Sequence, residues 1–299
     1  MTTSAHSHFR LGITLVAGAA IVWSFGGTIA RFLEVTDSWT IVFWRSISAA
    51  FYLLGFMLVR DGARGTMAKI RGMGLPGLGV ALCFGTASSS FVVALAHTSV
   101  ANILLIQAAA PLIAALLTWV LFREKVSSAT WAAIAAVFAG VAIMVSGSFS
   151  GKVSPLGDGL AMVIATFFAT ATVITRRHAH ISMLPAVFLG TVLAAVLAFF
   201  LAGGFNVSLR DAGLLFAFGA LNLGLGLSFF VIGARLIPAA VAALVSTTEP
   251  VLGPLWVWLV HGEVPGAKTL IGGAVVVAAL VIHILIDWRR QRAEPGGMI

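Results

Sequence analysis

The sequence predicts an all-α integral membrane protein of ten transmembrane helices, arranged as two inverted five-helix repeats. Three observations carry that expectation. Of 299 residues, 60% are hydrophobic and only 9% charged, and the mean hydropathy is +1.07. A soluble domain carries roughly 25% charged residues to wet its surface, so a chain this poor in charge needs lipid as solvent. The second observation is a series of apolar runs near the length of about 20 residues that spans a hydrocarbon core. They fall near 11–33, 39–59, 77–97, 100–122, 129–147, 158–177, 185–203, 213–235, 238–260 and 269–287. The turns at 97–100 and 235–238 are tight, and His97-Thr98-Ser99 and Pro238 supply the breaks there. The third observation is an internal repeat.

With a shift of 139 residues, Phe91 falls on Phe230, Leu105 on Leu244, Pro111 on Pro250, Trp119 on Trp258 and Glu124 on Glu263, without a gap. A shift of 145 aligns the earlier helices, with Gly12 on Gly157, Arg31 on Arg176 and Phe43 on Phe188. Matches among Ala, Leu and Val are common in apolar chains; Pro, Trp and Glu in one register carry the argument. The repeats divide the chain into a first five-helix unit at 1–147, a linker at 148–156 and a second unit with a C-terminal tail at 157–299. An odd number of spans per unit inverts the second in the membrane, as in many secondary transporters.

The basic residues set the orientation. With the N-terminus inside, thirteen of the 18 Lys and Arg lie on the cytoplasmic side. Arg31, Lys152, Arg210 and Lys268 lie outside, and Arg45 lies within a span. The positive-inside rule therefore places both termini in the cytoplasm. The net charge of +8 is spread over span ends rather than gathered into a patch, so it does not indicate nucleic-acid binding. The single cysteine, Cys83, cannot form an internal disulfide, and the first apolar run is too long for a cleavable signal.

The chain resembles the drug/metabolite transporter superfamily, specifically bacterial members with two EamA-type repeats. The likeness rests on IVWSFGG in the first span, FWRSISAAFYLL in the second, and VANILLIQAAAPLIAALLTWVLFREK, echoed by VAALVSTTEPVLGPLWVWLVHGE. It implies a carrier in a bacterial cytoplasmic (inner) membrane, moving small polar metabolites outward. It also implies a cavity lined by helices one, three, four, six, eight and nine.

Ionisable groups within spans are costly and are functional candidates by default. Glu249 lies in the ninth span beside Pro250, whose missing N–H frees the Ser246 carbonyl. It either loads a proton or a cationic substrate group, or is a structural carboxyl. Its repeat equivalent is Ala110, so the halves differ chemically there. Gln107, one turn before Pro111, either binds substrate or joins helices. Arg45 either holds a carboxylate or phosphate through its planar fork, or anchors the architecture and snorkels to the outer interface. Trp23, Ser89 and Asn222 complete the substrate-binding candidates. Arg31 and Arg176, at opposite faces, either flank entry points or snorkel.

The sequence holds no H-E-x-x-H, P-loop or G-x-S-x-G motif and no loop able to house a catalytic domain, which argues against an enzyme. The seven histidines show no metal-ligand spacing, and no cofactor is expected. The expectation is a secondary carrier of amino acids or small carboxylates, an exporter coupled to protons through Glu249, working as a monomer or homodimer in the lipid bilayer. The alternatives are a multidrug or cationic-compound efflux carrier and a facilitative channel.

Overall fold

The computed structural model describes residues 3–123, 127–148, 154–178, 180–237, 242, 245–246 and 248–293. Among them there is no strand, and nine helices are long and apolar enough to cross a membrane. They are α1 (His8–Arg31), α2 (Ser38–Gly72), α3 (Gly74–Leu95), α4 (Val100–Phe122), α5 (Ser128–Ser146), α6 (Pro155–Arg177), α7 (Leu184–Leu201), α8 (Leu209–Gly233) and α10 (Ala267–Ile286). Between the last two, α9 is described over Thr248–His261. The start of the ninth expected span, with Pro238, lies outside the described residues.

Successive spans alternate in direction, so α2, α4, α6 and α8 start on the face where α1 ends. Each of the four begins with a side-chain cap: Asp37, Ser99, Ser154 and Ser208. A cap satisfies amides that the first helical turn leaves without a partner. On this face the connections also bond to one another. Thr40 Oγ1 donates to the Gly204 carbonyl at 2.6 Å, Trp44 Nε1 to the Phe205 carbonyl at 3.1 Å, and the amides of Glu34 and Val35 to Asp211 at 3.1 Å each. On the opposite face α2 runs past its expected end at 59 and turns at Gly62, whose φ of 68° suits glycine.

Most packing joins one repeat to the other. Reading the neighbours in turn, α1 packs on α8, α8 on α2, α2 on α7, α7 on α3, α3 on α6, α6 on α4, α4 on α9, and α9 on α1. This is a closed ring of eight helices, with α5 and α10 packed together beside it. Exchanging each helix for the one five places on maps every contact onto itself or another member of the set, as an inverted repeat requires. Individual residues follow the same operation. A side chain at Gly12 would collide with Leu236 and Ile237, and one at Gly157 with His97 and Thr98; these pairs are equivalent in the 145 and 139 registers. Outward side chains such as Phe200 and Val196, 77% and 51% exposed, meet lipid rather than water.

Candidate functional site

Among the described residues, three spans of the ring are interrupted part-way along. In α1 the helix stops at Ser24 and restarts at Gly26. In α4 it stops at Gln107 and restarts at Ala110, with tighter bonds from Ala109 N to the Ile106 carbonyl (3.1 Å) and from Leu112 N to the Ala109 carbonyl (3.0 Å). Pro111 explains this break: it has no N–H to return to the Gln107 carbonyl. In α8 residues Ala217–Leu225 widen into a π-helix, a rare form frequently found at functional sites.

Asn222 lies in that π segment and is 4% exposed. Its Nδ2 donates to the Val22 carbonyl at 2.5 Å and, at 3.3 Å, to that of Trp23. The amide thus satisfies backbone groups at the α1 break. This joins two of the expected site residues, Trp23 and Asn222, through the Trp23 backbone. The indole ring packs over Gly226, 5.4 Å from Phe230, and its Nε1 has no partner among the described residues.

Arg45 corrects one expectation. It does not snorkel: it is 5% exposed, and Nη1 donates to Ser88 Oγ at 2.9 Å and to the Ser88 carbonyl at 3.3 Å. Its guanidinium lies 4.3 Å from the Phe218 ring centroid and 5.7 Å from that of Phe91. No carboxylate pairs with it and its Nε is unbonded among the described residues, so a buried cation stands without a counter-charge. Ser89, beside Ser88, is also buried, with its hydroxyl unpartnered among the described residues.

Gln107 and Glu249 fall on the other side of the ring. Gly253 of α9 packs against Leu104 of α4 and the Ser24 carbonyl of α1, so the three helices converge there. Glu249 is one turn earlier on the same face of α9. Because α4 runs antiparallel to α9, Glu249 comes level with the Gln107–Ala109 break. Glu249 is half-buried, and neither it nor Gln107 makes a side-chain bond among the described residues. Pro254, which the sequence reading passed over, sits inside α9 and leaves the Pro250 carbonyl without its helical partner.

The sequence reading also missed the strongest polar contacts on the face where α1 ends. Arg31 neither snorkels nor stands free. Its Nε bonds Glu263 Oε2 at 2.9 Å, Nη1 the Leu95 carbonyl at 2.9 Å and Nη2 the Thr98 carbonyl at 3.3 Å. Glu263 Oε1 accepts from the Val100 amide at 3.0 Å. Beside them Asp158, 2% exposed, accepts from Thr98 Oγ1 at 3.2 Å and Asn102 Nδ2 at 3.0 Å, and Thr269 Oγ1 donates to Asn102 Oδ1 at 2.6 Å. Among the described residues no group of His, Cys, Asp and Glu is arranged to hold a metal.

In the ring, parallel and antiparallel neighbours alternate, spans are interrupted at mid-depth, and buried polar groups stand unpaired among the described residues. No curated protein matches the chain. A solved structure described only as "Crystal structure of protein" shares the fold, with a TM-score of 0.66 at 18% identity, over 94% of this chain and 98% of that one. The EamA-like transporter family matches residues 10–146 and 155–285, once per repeat. The chain therefore belongs to the EamA-like transporter family.

Proposed function

We propose that this transporter is a secondary carrier that exports small polar metabolites, amino acids or small carboxylates, and couples their movement to protons through Glu249. The observation that carries the reading is a half-buried carboxyl without a bond among the described residues, level with the break in α4. A carboxylate in a low-dielectric interior costs several kcal/mol unless solvated or neutralised. Glu249 therefore takes up a proton when cut off from water and releases it when a water path opens. The buried, unpaired Arg45 supports an anionic substrate group, since a guanidinium fork matches a carboxylate. The family likeness supports outward transport in a bacterial cytoplasmic membrane, and the distribution of Lys and Arg supports both termini inside.

The test is Glu249→Gln in reconstituted vesicles. Proton-coupled uptake and its pH dependence are expected to vanish while solute exchange at equal pH persists; unchanged coupling would refute the role of Glu249. The aromatic wall at Trp23 and Phe230 favours a second reading, efflux of apolar cations. A thermal-shift series against amino acids, carboxylates and cationic drugs separates the two, because only a true ligand stabilises by mass action. Trans-stimulated counterflow would distinguish either from a channel.

A further inference from the structure

The repeat makes the seam between α1 and α9 equivalent to the seam between α6 and α4, yet the two differ in this structure. At the α1–α9 seam, Phe25 stacks on Trp256 with centroids 5.2 Å apart and 11° between planes. Trp256 Nε1 donates to Ser24 Oγ at 3.0 Å. Nearer the membrane face, His261 Nε2 lies 3.1 Å from the Thr28 carbonyl and its ring 4.5 Å from that of Phe32. Beyond these sits the Arg31–Glu263 pair, tied to Leu95, Thr98 and Val100. The seam is filled from mid-depth to its mouth.

In the 145 and 139 registers Phe25, Thr28 and Phe32 correspond to Thr170, Val173 and Arg177, and Trp256 and His261 to Leu117 and Phe122. All five of these counterparts line an open groove of about 290 Å³ between α6 and α4. At its mouth the Arg177 guanidinium lies 4.0 Å from the Phe122 centroid and makes no ion pair among the described residues. Arg176 is the repeat equivalent of Arg31, and Glu124, the equivalent of Glu263, lies outside the described residues.

We propose that the Arg31–Glu263 pair is the lock on the α1–α9 mouth of the ring, and that the α4–α6 groove is the solute's path to the interior while that lock is closed. The inference rests on the carrier reading in that a carrier must open one mouth at a time. It assigns gating to Arg31 and Glu263 and passage to Leu117, Thr170, Val173 and Arg177. An ion pair suits a lock. Within the closed mouth it is backed by three backbone contacts, and once the mouth opens each charge regains water, so the exchange is close to balanced.

The experiment reads accessibility rather than transport. Cys83 is the chain's single cysteine, so Cys83→Ala gives a thiol-free background for two probes, Thr28→Cys in the closed seam and Thr170→Cys in the groove. The Thr28 hydroxyl is buried without a partner among the described residues, and Thr170 is half-buried on the groove wall. With a membrane-impermeant maleimide added to both sides of reconstituted protein, Thr170→Cys is expected to react about tenfold faster than Thr28→Cys. Adding Glu263→Gln should raise the Thr28→Cys rate about tenfold and lower that of Thr170→Cys. The swap Arg31→Glu with Glu263→Arg should restore the parent rates. If Glu263→Gln fails to fold, Glu263→Asp, which withdraws the charge by one methylene, serves the same reading. Equal labelling of the two probes, or rates unmoved by loss of the pair, would overturn the proposal. Failure of proton coupling in Glu249→Gln vesicles would leave these rates untouched, so the two readings fall separately.

Discussion

Asn222 and Val22 are 200 residues apart in sequence, yet the side-chain amide of one lies 2.5 Å from the backbone carbonyl of the other. The bond crosses from the π segment of α8 to the break in α1, joining two irregular stretches at one depth. In lipid a carbonyl without a partner has no water to turn to. Asn222→Asp keeps the shape but replaces the donating NH2 with an acceptor. It is expected to destabilise the protein by about 1–3 kcal/mol, and Asn222→Ala by a similar amount. Thermal unfolding of purified protein checks this, and an Asn222→Asp variant as stable as the parent would show that the amide does not hold the break.

Of the two irregular partners, only the residue types were visible in sequence. The uninterrupted spans were legible because a length of about 20 apolar residues is itself the signal: the expected run at 100–122 is the observed α4, and 185–203 lies within two residues of α7. The α1 break at Ser24-Phe25-Gly26 carries no proline, and nothing local marks the π turn in α8; both are set by what packs across them. The extension of α2 to Gly72 was missed because polar residues after Val59 read as loop, whereas Gly62 allows the helix to turn and resume. The site was legible only by residue type. Glu249, Gln107 and Arg45 stood out as polar groups in apolar runs, but Arg31 and Glu263 were each matched to a repeat mate rather than to each other, since a contact across 232 residues leaves no local pattern.

Asp37 makes the contact between the start of α2 and the end of α7 pH-sensitive. Burial raises its pKa, but hydrogen bonds from the Thr40 hydroxyl and from the Gly203, Thr40 and Trp39 amides outweigh this and leave it below the ordinary value of 3.8. A carboxyl depressed in the folded state adds stability that is complete above the unfolded-state pKa and lost as pH falls through the folded-state value. The parent should therefore lose thermal stability below about pH 4 more steeply than Asp37→Asn, which has no charge to lose. Parallel acid slopes for the two would refute the assignment.

Arg45 separates stability from recognition. A buried charge bonded, among the described residues, to Ser88 alone contributes little to folding, and replacing such a group by an apolar one of similar volume is often neutral or stabilising. Arg45→Met is thus expected to keep or raise the thermal midpoint while abolishing stabilisation by carboxylate ligands. Arg45→Lys keeps the charge but loses the flat contact with Phe218 and should unfold earlier than the parent. A strongly destabilised Arg45→Met with intact ligand response would make Arg45 an architectural residue instead.

The contact of α3 with α7 leaves no room for side chains at two glycines. A Cβ on Gly190 would lie 2.6 Å from the Ala81 carbonyl oxygen, and one on Gly85 would lie 2.9 Å from the Gly190 carbonyl oxygen. Both obstacles are backbone, so neither can swing aside as a side chain would. Small residues at such crossings let membrane helices approach closely enough for dispersion to hold them, where no hydrophobic force between helices is available. Gly190→Val must push α7 off α3 and should cost at least the 1–3 kcal/mol typical of overpacking, with lower yield of folded protein. Gly55 of α2 meets nothing within 4 Å, and Gly55→Ala should leave stability unchanged or raise it slightly. The ordering Gly55→Ala, then Gly85→Ala, then Gly190→Val in falling thermal midpoint follows from the backbone distances alone. Equal midpoints for Gly55→Ala and Gly190→Val would mean that α3 and α7 do not meet as closely as the ring of eight helices requires.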